Sequence, residues 1–335
     1  MVDRAIQSRS VEPVIGHILL RCLMLWLAAL LVAGCGGDDE SPRGEETDLG
    51  ARSAERHPVR TQPKTARPPK QQSEPESRDG MSLLDEGDAE SFSALARRLG
   101  GQVGITVGAP GDPGSEQLGP LRTGDAWSTI KVPIAAKVLE KAGGPGALSA
   151  DQKDLISRAL TASDNAAADK LFASLGDDDA QAAAATGEVL REAGDTTTRV
   201  SAVGRDGFSP YGQTDWSDTQ QHRFMALLAG GCVAGPASSR YLLSLMARVV
   251  ADQAWGLGSA GAGAARFKGG WGPGIDGRYL VRQMGAIEIN GKEVVVTLAA
   301  IAPDGQFASG KAAATELARW IVENVNAGSA EPVDC

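Results

Sequence analysis

Histidine is nearly absent from this chain: its 335 residues hold three, His17, His57 and His222. The first two fall in an N-terminal signal-like and charge-rich stretch outside any plausible fold, so a histidine-rich metal site is excluded. A Ser–His–Asp triad would have to rest on His222 alone. That residue sits in TQQHRFMALLAG, which reads as a helix with an ordinary, partly buried histidine on its surface. Basic residues are also in deficit, 33 Lys+Arg against 42 Asp+Glu for a net charge of −9. A chain without a basic stripe is a poor ligand for phosphate backbones, so nucleic acid is excluded as the main partner. Aromatics make up only 4%. No nucleotide cofactor is implied either, because the glycine-rich GLGSAGAGAARFKGG neither follows a clear strand nor opens a clear helix. Asp177-Asp178-Asp179 follows a helix end and reads as a solvated acidic turn rather than a calcium loop, so no metal is expected.

Long apolar runs are equally scarce, and the conspicuous one lies near the start. Residues 22–33, CLMLWLAALLVA, follow Arg4, Arg9 and Arg21. Twelve helical residues reach about 18 Å, too short to cross a bilayer core of about 30 Å. A basic flank, a short apolar core and then small residues form the pattern of a secretory signal. The run ends Leu31-Val32-Ala33-Gly34-Cys35, which resembles a bacterial lipobox. The resemblance implies a signal peptide over 1–34, lipid on Cys35, and a membrane anchor on the extracytoplasmic face, since two or more acyl chains hold durably. From Asp38 to Gly80 there are ten acidic and eight basic residues, no aromatic, and only Leu49 and Val59 as branched aliphatics. Such a segment buries too little apolar surface to offset its chain entropy, so 35–80 reads as a disordered tether reaching roughly 35–40 Å.

Cysteines are few, four in all. With Cys22 in the signal and Cys35 lipidated, Cys232 and Cys335 remain in an exported domain. In an oxidising compartment they read as a disulfide tying the C-terminus to the body, or as two unrelated thiols.

The folded part, 81–335, opens with a helix at 89–99, where Phe92, Leu95 and Leu99 share a stripe. A strand at Val103–Val107 and a turn-rich GAPGDPGSEQLGP predict a hairpin. A long helical region follows, about 129–255. Three strand-like runs come after it, ARFKGGW, RYLVRQMGAIEING and KEVVVTLAAIAP, the last two joined by an Asn290-Gly291 hairpin turn. KAAATELARWIVENV reads as a closing helix. Strands at both ends of a helical block predict an α+β fold, an α/β/α sandwich whose antiparallel sheet is completed late. It carries terminal helices and an inserted all-helical lobe.

Three short motifs carry the candidate chemistry. In Ser128-Thr129-Ile130-Lys131, serine and lysine share one face of a starting helix. Backbone N–H groups there point at any developing anion, and a desolvated lysine can take the serine proton. The same pattern also fits a plain helix cap. Ser163-Asp164-Asn165 reads as a helix N-cap. In the chemical reading, Ser163 relays a proton and Asn165 donates its amide to a substrate carbonyl. Lys268-Gly269-Gly270 enters the late strands. Lys268 could face the serine, with Gly270 and its neighbours letting substrate approach the backbone, or it could be a solvated edge lysine. Trp255 and Trp271 flank the stretch and could wall a cleft, although Trp255 fits a core equally well.

Taken in order, these motifs resemble the Ser-x-x-Lys, Ser-Asp-Asn, Lys-Thr-Gly series of serine β-lactamases and penicillin-binding proteins. The chain from about Glu90 to Asn326 is similar to class A β-lactamases, and the resemblance implies a five-stranded sheet with a site between sheet and helical lobe. It further implies Ser128 as acylated nucleophile, Lys131 as its proton acceptor and Ser163 as a catalytic partner. Asn165, Lys268, Gly270 and Trp271 would bind substrate, with an oxyanion hole at the N–H groups of Ser128 and Trp271. Two departures stand out. Class A enzymes carry an Ω-loop glutamate that activates the deacylating water. Here the loop would be residues 201–213, with Asp206 its only carboxylate and no glutamate between Glu192 and Glu288. Gly269 also stands where Thr or Ser is usual, removing a hydroxyl worth about 1.5–3 kcal/mol to a charged ligand group. The expectation is a monomeric, lipid-anchored serine hydrolase with weak deacylation. It would act on a peptide or small molecule: D-alanyl peptides of peptidoglycan, or β-lactams and esters slowly. The alternative is an inactive binding or sensing module of the envelope.

Overall fold

The computed structural model describes residues 82–333. The expected signal peptide, lipidation site Cys35 and tether, together with Cys335, lie outside the described residues. Helix α1 (Glu86–Leu99) begins three residues before the periodicity predicts, because Asp85 caps it. Asp85 accepts from the Asp88 N–H while the Asp88 carboxylate accepts from the Asp85 N–H, a reciprocal capping box. Gly100 ends the helix at φ 74, where only glycine is unstrained. Strands β1 (Gln102–Gly108) and β2 (Glu116–Leu118) form the early hairpin.

Six helices follow before the sheet resumes. They are α2 (Lys131–Ala142), α3 (Ala150–Thr161), α4 (Asn165–Ala173), α5 (Asp179–Glu192), α6 (Asp218–Ala229) and α7 (Pro236–Met246). The acidic turn at Asp177–Asp179 has a local role, with Asp178 accepting from the Gln181 N–H to cap α5. The chain then returns through β3 (Ala265–Pro273), β4 (Tyr279–Ile289) and β5 (Lys292–Ile301), and closes with α8 (Phe307–Asn324). Asn290 at φ 52 and Gly291 at φ 77 make the two-residue turn between β4 and β5.

All strand pairs are antiparallel, in the order β2-β1-β5-β4-β3. The period of two divides the sheet's side chains between two cores. Val281, Ile287, Val294 and Val296 pack with Phe92 of α1 and Leu317 of α8. Met284, Ala286 and Val295 join the helical lobe with Ile134, Phe224 and Leu242. Strand β3 is the sheet's edge, which leaves its outer side to the site.

Arg282 of β4, 1% exposed, pins sheet to lobe. It donates to the carbonyls of Gly124 and Trp216 and pairs with buried Asp218 at 2.8 Å. Removing one partner of a buried pair strands the other charge, so Arg282→Ala should cost about 3–5 kcal/mol in denaturant unfolding. An unchanged midpoint would show the pair to be expendable.

His222 corrects a sequence reading: it is 0% exposed, not on a helix surface. Helix α6 presses it so close beneath Gly108 that a Cβ there would collide with its Nε2. Burial holds its pKa down at about 4, against the opposing charge of Asp112. An unfolded chain protonates histidine near 6.5, so the stability from keeping it neutral is complete above that pH and is lost as pH falls toward 4. The loss amounts to about 3 kcal/mol. Urea unfolding of wild type and His222→Leu at pH 7.5 and 4.5 checks this, the variant losing less on acidification.

Candidate active site

Residues Trp127–Ile130 form one 3₁₀ turn that runs directly into α2 at Lys131. This sets Ser128 half-buried at the cleft and Lys131 beneath it, 1% exposed. The turn is strained at Trp127, whose φ of 49 is left-handed for a residue with a large side chain. Packing holds it there. The indole lies so close over Gly272 that any Cβ at 272 would overlap the ring. Phe208 meets it edge-on at 5.5 Å, and the Ala126 N–H anchors the preceding backbone to Thr214 O at 2.7 Å.

The second motif comes from the turn between α3 and α4. Asp164 caps α4, accepting from the Ala167 N–H, and pairs with Arg158. With the helix start held, Ser163 adopts φ 56 and turns both its carbonyl and hydroxyl inward. The Lys131 Nζ donates to Ser163 O at 2.6 Å and to Asn165 Oδ1 at 2.7 Å, and lies 3.4 Å from Ser163 Oγ. The buried Lys268 of β3 donates to the same Oγ at 2.8 Å and to Gly269 O at 2.7 Å. Two amines from opposite lobes thus converge on one hydroxyl. Because Ser163 Oγ accepts from lysine, its own proton is left to give away.

Burial holds the Lys131 amine down, at about 8, with Asp169 and Asp164 pulling the other way. Lys268 lies well below the ordinary lysine range, first through burial and then through the charge of Lys131. At neutral pH a lysine titrating near 8 is neutral about one time in ten, enough to serve as a base. No hydrogen bond joins Lys131 to the Ser128 hydroxyl, since its donors go to Ser163 and Asn165.

The structure also explains the glycines of the third motif. Gly270 faces the 3₁₀ turn, where a Cβ would come within 2.8–3.0 Å of Ala126 O, Ser128 N and Thr129 N. Gly269 faces the other side of the sheet, and a side chain there would meet the Trp255 ring at 3.2–3.3 Å. Trp255 therefore occupies the room that a threonine would need.

A cavity of about 240 Å³ opens beside Ser128, walled by Trp127, Asn165, Phe208, Trp271 and Tyr279. The loop 201–213 closes one side. Its Arg205 reaches across to Pro273 O of β3 at 2.7 Å and stacks over Trp127 and Phe208. Asp206, the loop's carboxylate, is exposed and lines no wall of this cavity. Sequence reasoning missed Arg205, Phe208, Tyr279 and Asp169. Only Asp169 left a signal, four residues after Asn165 and so on the same face of α4. Arg205 and Phe208 come from the loop 201–213 and Tyr279 from the start of β4, all distant in sequence from the motifs.

Gly270→Ala forces the nucleophile turn to shift and should destabilise by about 1–3 kcal/mol. Gly269→Ala asks only a ring edge to move and should cost less than Gly270→Ala. Denaturant unfolding of the two variants compares them, and equal costs would refute the close approach at Gly270.

Comparison with known proteins agrees with this architecture. The model of the β-lactamase enzyme family matches residues 144–325, a span that holds the second and third motifs. No curated protein matches the chain. Among solved structures, an ancestral class A β-lactamase is 22% identical, covering 70% of this chain and 99% of its own, with a TM-score of 0.53. A β-lactamase from Sphaerobacter thermophilus is 20% identical, covering 75% and 100%, with a TM-score of 0.57. One from Chitinophaga pinensis is 15% identical over 71% and 98%, with a TM-score of 0.59. At these identities the likeness is one of fold. Ser128 and Lys131 precede the matched span, and the fold brings them to the residues inside it. The chain therefore belongs to the β-lactamase enzyme family and has the α+β fold of class A β-lactamases, a five-stranded antiparallel sheet with a helical lobe.

Proposed function

We propose that this chain is an envelope-anchored serine hydrolase that works through an acyl-enzyme on Ser128. The observation that carries the reading is the convergence of Lys131 and Lys268 on Ser163 behind Ser128. Ser128 Oγ attacks a carbonyl carbon and passes its proton to neutral Lys131. The oxyanion forms against the backbone N–H groups of Ser128 and Trp271. Ser163 gives its proton to the leaving nitrogen or oxygen and is resupplied from the lysines. Asn165 and Lys268 hold the substrate's carbonyl and carboxylate, and Gly270 lets the acyl group lie against β3. The substrate class is a D-alanyl peptide of peptidoglycan, or a β-lactam or ester turned over slowly, because the loop 201–213 offers no glutamate for deacylation.

The setting follows from the amino terminus. Lipid on Cys35 and the tether of 35–80 would place a monomeric domain at the outer face of the cell membrane. Pairing of Cys232 with Cys335 is supported by a stack of close backbone approaches. Val333 N donates to Pro110 O at 2.9 Å, next to Gly111, and Gly111 N donates to Ala226 O at 2.8 Å. Gly230 packs on Gly111 from the other side, and Cys232 takes part in a disulfide.

One observation favours a second reading, an envelope binding or sensing module without turnover. The donors of Lys131 are engaged by Ser163 and Asn165 instead of Ser128. A fluorescent penicillin incubated with the full chain and followed by intact mass separates the two. The hydrolase reading expects an adduct on wild type and none on Ser128→Ala. The adduct should form about tenfold faster per pH unit below 8 and level off above it, as Lys131 loses its proton. No adduct at millimolar ligand would overturn the hydrolase reading in favour of the binding module.

A further inference from the structure

An acyl-enzyme that forms at Ser128 must be released by water, and the loop 201–213 offers no glutamate as base, only the shorter and exposed Asp206. The described carboxylates whose charge reaches Lys131 are Asp169 and Asp164. Asp164 is committed to the α4 cap and to Arg158. Asp169 stands one helical turn beyond Asn165 on α4, so both side chains share the face that looks toward Lys131. It is exposed, and it lines a cavity of about 580 Å³ together with Asn165, Gly207, Phe208 and Ser209. Those four residues also line the cavity at Ser128, so the two spaces adjoin along a common wall.

The carboxylate is aimed, not merely nearby. Tyr211 is 1% exposed and donates its hydroxyl to Asp169 Oδ1 at 2.5 Å. Its ring packs against Phe172 at 4.9 Å. Burial and the Asp169 charge raise the Tyr211 phenol well above its ordinary range, so this contact can only donate to the carboxylate. Among the described residues no group bonds Asp169 Oδ2, and Asp169 itself lines the larger cavity.

We propose that Asp169, oriented by Tyr211, is the base that activates the water releasing the acyl group from Ser128. This rests on the acyl-enzyme reading above. Water oxygen bonds to the acyl carbonyl carbon as one water proton passes to Asp169 Oδ2 and the carbonyl electron pair moves to oxygen. The tetrahedral adduct then re-forms its C=O and breaks the bond to Ser128 Oγ. The proton taken by Asp169 reaches Oγ by way of Lys131, and the product leaves as a carboxylic acid that ionises in water. A short carboxylate on α4, reaching from the side, suits slow release.

The test uses the full chain acylated with a fluorescent penicillin, then freed of excess ligand and followed by intact mass. Asp169→Asn keeps the oxygen that accepts from Tyr211 and removes the base. Its adduct should still form, and should persist about 10²-fold longer than that of wild type. Asp169→Glu should recover part of the rate, an outcome that a purely structural role would not produce. Equal lifetimes for wild type and Asp169→Asn, or a wild-type adduct that never decays, would overturn this inference alone. The absence of any wild-type adduct would overturn the acyl-enzyme reading and this inference with it.

Discussion

Two lysine side chains taken out of water and brought against one hydroxyl are the constraint on which the site depends. Burying an amine disfavours its charge, and here Lys131 and Lys268 are each 1% exposed without a carboxylate in contact. Their hydrogen bonds go to neutral oxygens, those of Ser163, Asn165 and Gly269. A stability-driven core would not be built this way, since unpaired buried charge is costly. The arrangement persists because opposite lobes supply the two amines, and each lobe has its own hydrophobic core to offset the penalty.

Holding that geometry sets demands on the backbone around it. Trp127 and Ser163 both sit at positive φ without being glycine, a cost of about 1–3 kcal/mol each that surrounding packing must sustain. Tertiary contact clamps Trp127 through Gly272 and Phe208, while the local Asp164 cap and its pair with Arg158 hold the turn at Ser163. The edge position of β3 matters for the same reason. Strand β4 occupies one side of it, so its free side can lie against the nucleophile turn, and Gly270 makes that approach sterically possible. Arg282 then ties β4 to the segment leading into the turn through Gly124 and Trp216, making sheet and lobe one mechanical unit.

Much of this was legible in the residues because its cause is local. Strand alternation, the Asn290-Gly291 turn, the helical block and the order of the three motifs each follow from short-range pattern. Helix ends were less legible: α1 starts at Glu86 because of the Asp85–Asp88 cap, and α8 starts at Phe307, four residues before the periodicity predicts. His222 was misplaced because an interior helix with polar residues on several faces reads like a surface one, and only packing against Gly108 buries it. The reason for Gly269 was hidden too, since Trp255, fourteen residues earlier, fills the space beside it.

The sequence by itself determined the class of fold, the lysines and serines on offer, and the lack of a glutamate in the loop 201–213, because composition and short-range periodicity are properties of the chain. Tertiary structure alone decided which groups meet. It joined Lys131 and Lys268 at Ser163 across more than a hundred residues, pointed Lys131 toward Asn165 instead of Ser128, and set Asp169 beneath the hydroxyl of Tyr211. Those pairings depend on how sheet and lobe close on each other, a many-body packing outcome that no local pattern encodes.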